Sequence, residues 1–239
     1  MFEYLMPAIW MRSYRDTLMD QTLSATVRCQ QEYGRRNGIP WGISEAAFRK
    51  RDAQGVYQYQ AFGVPGLALD PEAAENLVVS PYSNFLALLV DPEGATRNLE
   101  VMRRMGCLGS RGFYESCDFT SAKEPDKEPN NEDYEIIRCW MAHHQGMSLL
   151  ALSNLLNQFS IQKWFHREPQ VKAVELLLHE RVGLSVAVKN GSTRSPKNGK
   201  RAARFRKLNP RVDFSSGRPD SMQRQETTPN AKRESSSAE

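Results

Sequence analysis

Two short stretches of this 239-residue chain hold the residue types that carbohydrate cleavage needs. Ile39-Pro-Trp-Gly-Ile-Ser-Glu45 offers an aromatic face, a glycine that lets the backbone turn tightly, and a carboxylate just past the turn. Phe113-Tyr-Glu115 follows the glycine-rich run Gly106-Cys-Leu-Gly-Ser-Arg-Gly112 and repeats the pairing of aromatic and carboxylate. Breaking a glycosidic bond takes two carboxyl groups: one stays protonated and donates to the departing oxygen, the other attacks or activates a water. Loops on a rigid scaffold can bring such groups together where helix interiors cannot. The plainer reading of the first stretch is a helix start, with Ser44 as cap and Glu45 in the first turn.

A third candidate is Ala142-His-His-Gln-Gly146. Adjacent helix residues point about 100° apart, unlike the i, i+4 pair of a metalloprotease helix, so no metal site is expected. His143, His144 and Gln145 read instead as polar lining of a cleft. His166 and His179 carry no pattern and read as structural. Glu175, between apolar neighbours, is either a supporting acid or the partner of a nearby arginine.

The elements that must position these groups read as helices. Residues 15–35 carry Leu18, Thr22, Ala25 and Cys29 at helical spacing, and Gly34 and Gly38 end the run. Residues 46–51 read as a short helical turn, and 54–62 as an extended aromatic segment. Asp70-Pro71-Glu72, Ser80-Pro81 and Asp91-Pro92-Glu93 are helix starts, with a cap before a proline at the first helical position. The helix from Pro92 stops at Gly106, and 121–131 is charged and reads as a surface loop. The longest helix is expected over 134–159, with Ile137, Met141, His144, Ser148, Ala151 and Leu155 on one stripe. A last helix from Pro169 ends near Gly183. No strand pattern stands out, so the expected fold is all-α, built of antiparallel helix pairs. Loops gathered at one end of such pairs would bring Glu45 and Glu115 to one mouth.

Charge divides the chain. Residues 190–239 hold twelve Lys/Arg against five Asp/Glu, whereas 1–189 hold twenty against twenty-three. The basic balance belongs to a Ser/Pro/Asn-rich tail, read from residue 185 as a disordered segment, with a domain over 1–184. The body shows no basic stripe with interleaved aromatics, so no specific nucleic-acid partner is expected. A tail-driven polyanion or membrane-surface binder is the competing class. The four cysteines form no CxxC pair and read as small core residues in a reducing compartment. No stretch has the roughly twenty apolar residues of a membrane span.

Six blocks in order carry a family resemblance: residues 1–7, Pro40-Trp-Gly-Ile-Ser-Glu45, Tyr57-Gln-Tyr-Gln-Ala-Phe-Gly-Val-Pro-Gly66, Gly112-Phe-Tyr-Glu115, Met141-Ala-His-His-Gln-Gly-Met147 and Glu175-Leu-Leu-Leu-His-Glu-Arg181. Over residues 1–182 the chain resembles the glycoamylase-like domain found within cyclic β-1,2-glucan synthases. The resemblance implies an (α/α) toroid, here partial, because the body has room for only about seven helices. It implies β-1,2-glucan as partner, hydrolysis or ring-closing transglycosylation as reaction, and no cofactor. It implies Glu45 as proton donor and Glu115 as the second catalytic carboxylate, with Trp41, Tyr57, Tyr59, Tyr114, His143, His144 and Gln145 lining glucan subsites. Phe48 and Phe119 stand where the family pattern has tyrosines. The resemblance also points to a piece of a larger protein, cytoplasmic or at the inner membrane, and a catalytically inactive carbohydrate-binding fragment is the alternative reading.

Overall fold

The computed structural model describes residues 1–68, 76–120 and 134–181. All of them lie in one compact unit, Met1–Arg194. The helix start at Pro71, the charged loop 121–131, the stop at Gly183 and the tail from 185 lie outside the described residues.

Seven α-helices appear among the described residues: α1 (Phe2–Leu5), α2 (Leu18–Asn37), α3 (Pro81–Ala87), α4 (Pro92–Arg104), α5 (Ala142–Leu156), α6 (Ser160–Phe165) and α7 (Pro169–Val174), with 3-10 turns at Met6–Ile9 and Glu175–His179. Local chemistry sets several of their ends. The Thr17 hydroxyl accepts from the Asp20 N–H at 3.3 Å to open α2, and Gly38 closes it in the left-handed region at φ 69°. Asp91 caps α4 through the Gly94 N–H at 2.9 Å, with Pro92 at the first helical position. The buried face of α2 is Leu23, Thr26, Val27, Gln30 and Gly34. The stripe expected through Leu18, Thr22 and Cys29 is exposed. The true stripe contains polar Thr26 and Gln30, which a search for apolar periodicity passes over.

The chain is not all-α, and this corrects the expected partial toroid of helix pairs. Strands β1 (Ala46–Arg51) and β2 (Tyr57–Gln60) pair antiparallel, with Ala46 opposite Gln60 and Ala47 opposite Tyr59. Strands β3 (Val78–Val79), β6 (Ser116–Asp118) and β7 (Glu135–Ile137) form a second antiparallel sheet in the order β3-β6-β7, and β4 (Leu108–Gly109) and β5 (Gly112–Phe113) form a small hairpin. Residues 46–51 look helical because Ala, Arg and Lys are good helix formers. Tertiary pairing overrides that preference. Ala46 and Ala47 are fully buried, the Ser116 hydroxyl donates to the Ala47 carbonyl at 2.5 Å, and the Arg49 N–H donates to Asp118 Oδ2 at 3.1 Å. Residues 135–137 likewise pair as strand β7, so α5 begins only at Ala142 and α2 is the longest helix described.

Two apolar clusters form the core. Leu5, Ile9, Leu23, Val27, Leu86 and Ala151 fill the first, and Val64, Val78, Val79, Met102, Cys107 and Cys117 are among those filling the second. Cys107 and Cys117 are fully buried, and their sulfurs meet. No helix among the described residues is long and apolar enough to cross a membrane.

Candidate active site

The segment 39–45 runs between the two cores, with Trp41 in the first and Ile43 in the second. Buried amides hold its backbone. Asn98 accepts from the Trp41 N–H at 3.2 Å and donates to its carbonyl at 2.8 Å, and Asn84 donates to the same carbonyl at 3.0 Å. Gln30 pairs with Ile43 in the same way, accepting from its N–H at 2.9 Å and donating to its carbonyl at 2.8 Å. Gln30→Leu keeps the side-chain bulk but leaves the Ile43 N–H buried without that acceptor. An orphaned group of this kind costs about 1–3 kcal/mol, which urea denaturation of the variant should show.

This anchoring presents Glu45, half-buried, at the start of β1. The hydroxyl of Tyr59, which sits opposite Ala47 on β2, donates to Glu45 Oε1 at 2.7 Å. The same hydroxyl lies 3.1 Å from His144 Nε2 and 3.3 Å from His143 Nε2. Behind them His144 Nδ1 sits 2.8 Å from Glu115 Oε1, with both side chains fully buried. The Ala47 N–H also donates to Glu115 Oε1, at 3.3 Å. The Nδ1–H of His144 therefore points at Glu115 and its Nε2 faces Tyr59. Glu115 lies not at the mouth of a loop but behind His144, where strand β6 begins. Its Oε2 is buried with no hydrogen-bond partner, and the residue lines a cavity of about 130 Å³ together with Tyr114, Gln145 and Ser148.

The fourfold meeting at Tyr59 answers the geometric objection to the histidine pair. Glu45, His143 and His144 each place one donor atom within 4.8 Å of the others, a spacing that could hold a metal ion. Hydrogen bonds to the hydroxyl at their centre account for the convergence, and the three are not read as ligands.

Tyr82 was not singled out by sequence reasoning. Its ring stacks on His144 at 3.6 Å between centroids and 10° between planes, and its hydroxyl donates to the Glu45 carbonyl at 3.1 Å. Ser44 caps no helix; its hydroxyl meets Tyr82 Oη at 2.8 Å and accepts from the Phe2 N–H at 3.0 Å. The signal lay in Ser80-Pro-Tyr-Ser-Asn84, a helix start with more polar groups than a buried first turn ordinarily holds.

The remaining expected subsite residues divide. Trp41 is buried in the core rather than open to a ligand, because its backbone is pinned between α3 and α4. Tyr57 is occupied by Arg51, whose guanidinium lies 3.9 Å from the ring centroid and donates to the hydroxyl. Tyr114 packs on Trp140 at 5.2 Å between centroids. Phe48 and Phe119 pack edgewise or tilted on Phe62 and Tyr134, so the absent hydroxyls fall in the second core and not in the cluster. His166 and Glu175 are structural: His166 accepts from the Arg12 N–H at 3.1 Å and meets Glu175 at 3.0 Å, while Tyr14 also donates to Glu175.

Burial, with Glu45 and Glu115 nearby, raises the Tyr59 phenol well above its ordinary value. Burial, with the neighbouring His144, lowers His143 below 6.5, only partly offset by the carboxylates. A depressed folded-state value means the unfolded chain binds the proton more readily. His143 therefore withdraws stability as pH falls through about 6.5. His143→Gln is expected to reduce the loss between pH 7.5 and 5.5, measured as the change in urea midpoint against wild type.

Residues 1–169 match the family model Glycoamylase, described as "Putative glucoamylase". The chain is 41% identical over 188 residues to the cyclic beta-(1,2)-glucan synthase NdvB of Rhizobium meliloti (strain 1021), across 79% of this chain and 6% of that protein. It thus spans a small part of that relative's length. Two solved structures are also similar. A "putative glucoamylase" from Bacteroides caccae ATCC 43185 is 17% identical, covering 68% of this chain and 34% of that one at a TM-score of 0.40. The endo-beta-1,2-glucanase of Chitinophaga pinensis, solved with sophorotriose and glucose, is 18% identical over 68% and 33% of the two chains at a TM-score of 0.38.

Proposed function

The chain belongs to the glycoamylase-like domain family, and from that membership and the Glu45 cluster we propose that it acts on β-1,2-linked glucan, with Glu45 as proton donor. The observation that carries the reading is the half-buried Glu45 carboxyl, held by the Tyr59 hydroxyl at 2.7 Å beside two histidines. Its protonated form donates to the oxygen leaving the anomeric carbon. A water then supplies the incoming oxygen in hydrolysis, or a hydroxyl of the same glucan does so in ring closure, and in either case the incoming O–H gives its proton to the Glu45 carboxylate. Glu115, the second carboxylate the resemblance implies, is fully buried behind His144. We assign it a positioning role: it holds His144 in the tautomer that turns Nε2 toward Tyr59. Tyr59 and His143, exposed at the rim, are the subsite residues placed to meet a sugar.

The test is incubation of the chain with linear β-1,2-glucan, followed by product chromatography and calorimetric titration. Shorter linear products indicate hydrolysis, and products without a reducing end indicate cyclisation. Binding without product supports the carbohydrate-binding reading. Neither binding nor product would overturn the assignment.

A further inference from the structure

We propose that Glu45 and His144 hold one titratable proton in common through the Tyr59 hydroxyl, which makes Tyr59 and His144 the positioning residues that set when Glu45 is an acid. The inference rests on the reading of Glu45 as proton donor. Tyr59 Oη lies 2.7 Å from Glu45 Oε1 and 3.1 Å from His144 Nε2, while His144 Nδ1 is occupied by Glu115 at 2.8 Å. A phenol hydroxyl carries one proton and accepts as well, so it donates to one of these neighbours while accepting from the other.

Two proton arrangements satisfy these three contacts. In the first, Glu45 is a carboxylate accepting from Tyr59, and Tyr59 accepts from the Nε2–H of an imidazolium. In the second, Glu45 is a carboxylic acid donating to the Tyr59 oxygen, and Tyr59 donates to Nε2 of a neutral imidazole. Passing from the first to the second breaks the Nε2–H and phenol O–H bonds. A new phenol O–H and a carboxyl O–H form, and the net charge of the cluster is unchanged. Glu115 accepts the Nδ1–H in both, so that nitrogen stays out of the exchange. A proton shared in this way belongs to the pair, and its titration shows two macroscopic steps.

Other titratable groups face the cluster from every side: the Met1 amine ahead of α1, Glu3 from α1, Tyr82 from α3, His143 from α5, and Glu115 ahead of β6. Cys139, which senses Glu115 and Arg51, has its thiol pushed up to about 11 by burial, and Tyr82 is also raised. Neither of these two changes charge near neutrality. His143 and the Met1 amine are both lowered, chiefly by burial.

The experiment is an NMR pH titration of the full chain, following glutamate carboxyl carbons and histidine ring nitrogens in wild type, Tyr59→Phe and His143→Gln. Tyr59 is 41% exposed, so its ring without the hydroxyl is readily tolerated. In wild type, Glu45 and His144 should each report the same two inflections, separated by more than about one pH unit. Tyr59→Phe should reduce each to a single inflection, and His143→Gln should keep both. A single independent step for Glu45 in wild type, unchanged in Tyr59→Phe, would overturn the shared proton; so would loss of coupling in His143→Gln. These readouts need no turnover. Inactivity on glucan with intact coupling sinks the proposed function alone, and activity with uncoupled titration sinks the shared proton alone.

Discussion

Glu45→Gln is expected to lower kcat on linear β-1,2-glucan by about 10²–10⁴-fold, the range supplied by a positioned proton donor. The amide matches the carboxyl in shape, and its oxygen can still accept from Tyr59 at the 2.7 Å position. The fold and sugar binding should therefore survive while the acid proton is lost. KM close to wild type with a collapsed kcat would mark an interaction made in the transition state. Glu115→Gln acts only through His144, so its fall should be the smaller of the two. A Glu45→Gln variant that turns over within about tenfold of wild type, while Glu115→Gln is inactive, would exchange the two roles.

Gly42→Ala is the substitution with the largest expected cost to stability. Gly42 has φ +121°, which L side chains rarely adopt, and a Cβ there would sit 2.4 Å from Asn84 Nδ2 and 2.6 Å from Ser83 Oγ. Neither atom is free to swing away. Asn84 Nδ2 donates to the Trp41 carbonyl, the Ser83 hydroxyl donates to the Gly42 carbonyl at 3.0 Å, and both residues are fully buried on α3. Backbone strain costs about 1–3 kcal/mol and overpacking about as much again, which together approach the whole stability of a marginal domain. Chemical denaturation should show the loss directly, and Tyr59→Phe, at the exposed rim, serves as the contrast. A Gly42→Ala midpoint equal to wild type would mean that the segment leading to Glu45 can relax in ways these contacts forbid.

Several features were legible in the residues alone. The ordered blocks around Trp41, Tyr57, Gly112, Met141 and Glu175 identify the family. Pro81 and Pro92 after their caps mark helix starts, and Gly38 and Gly106 mark stops, because each of these signals acts within one turn of chain. Glu45, Tyr59, His143 and His144 were all named from sequence, and the structure brings them to one hydroxyl. Tertiary structure alone decided what surrounds them. The strands span two to six residues, too short for an alternation to show, and their hydrogen bonds reach residues far along the chain, as Ala47 reaches Ser116. Whether Glu115 faces a ligand or the interior depends on His144, a residue 29 positions later that hydrogen-bonds its Oε1 once buried. Trp41 turned inward for a similar reason, since Asn84 and Asn98 capture its backbone from two other helices. Residue types determined which chemistry this chain can hold. Long-range hydrogen bonding determined that Glu45 stands at the rim and Glu115 behind it.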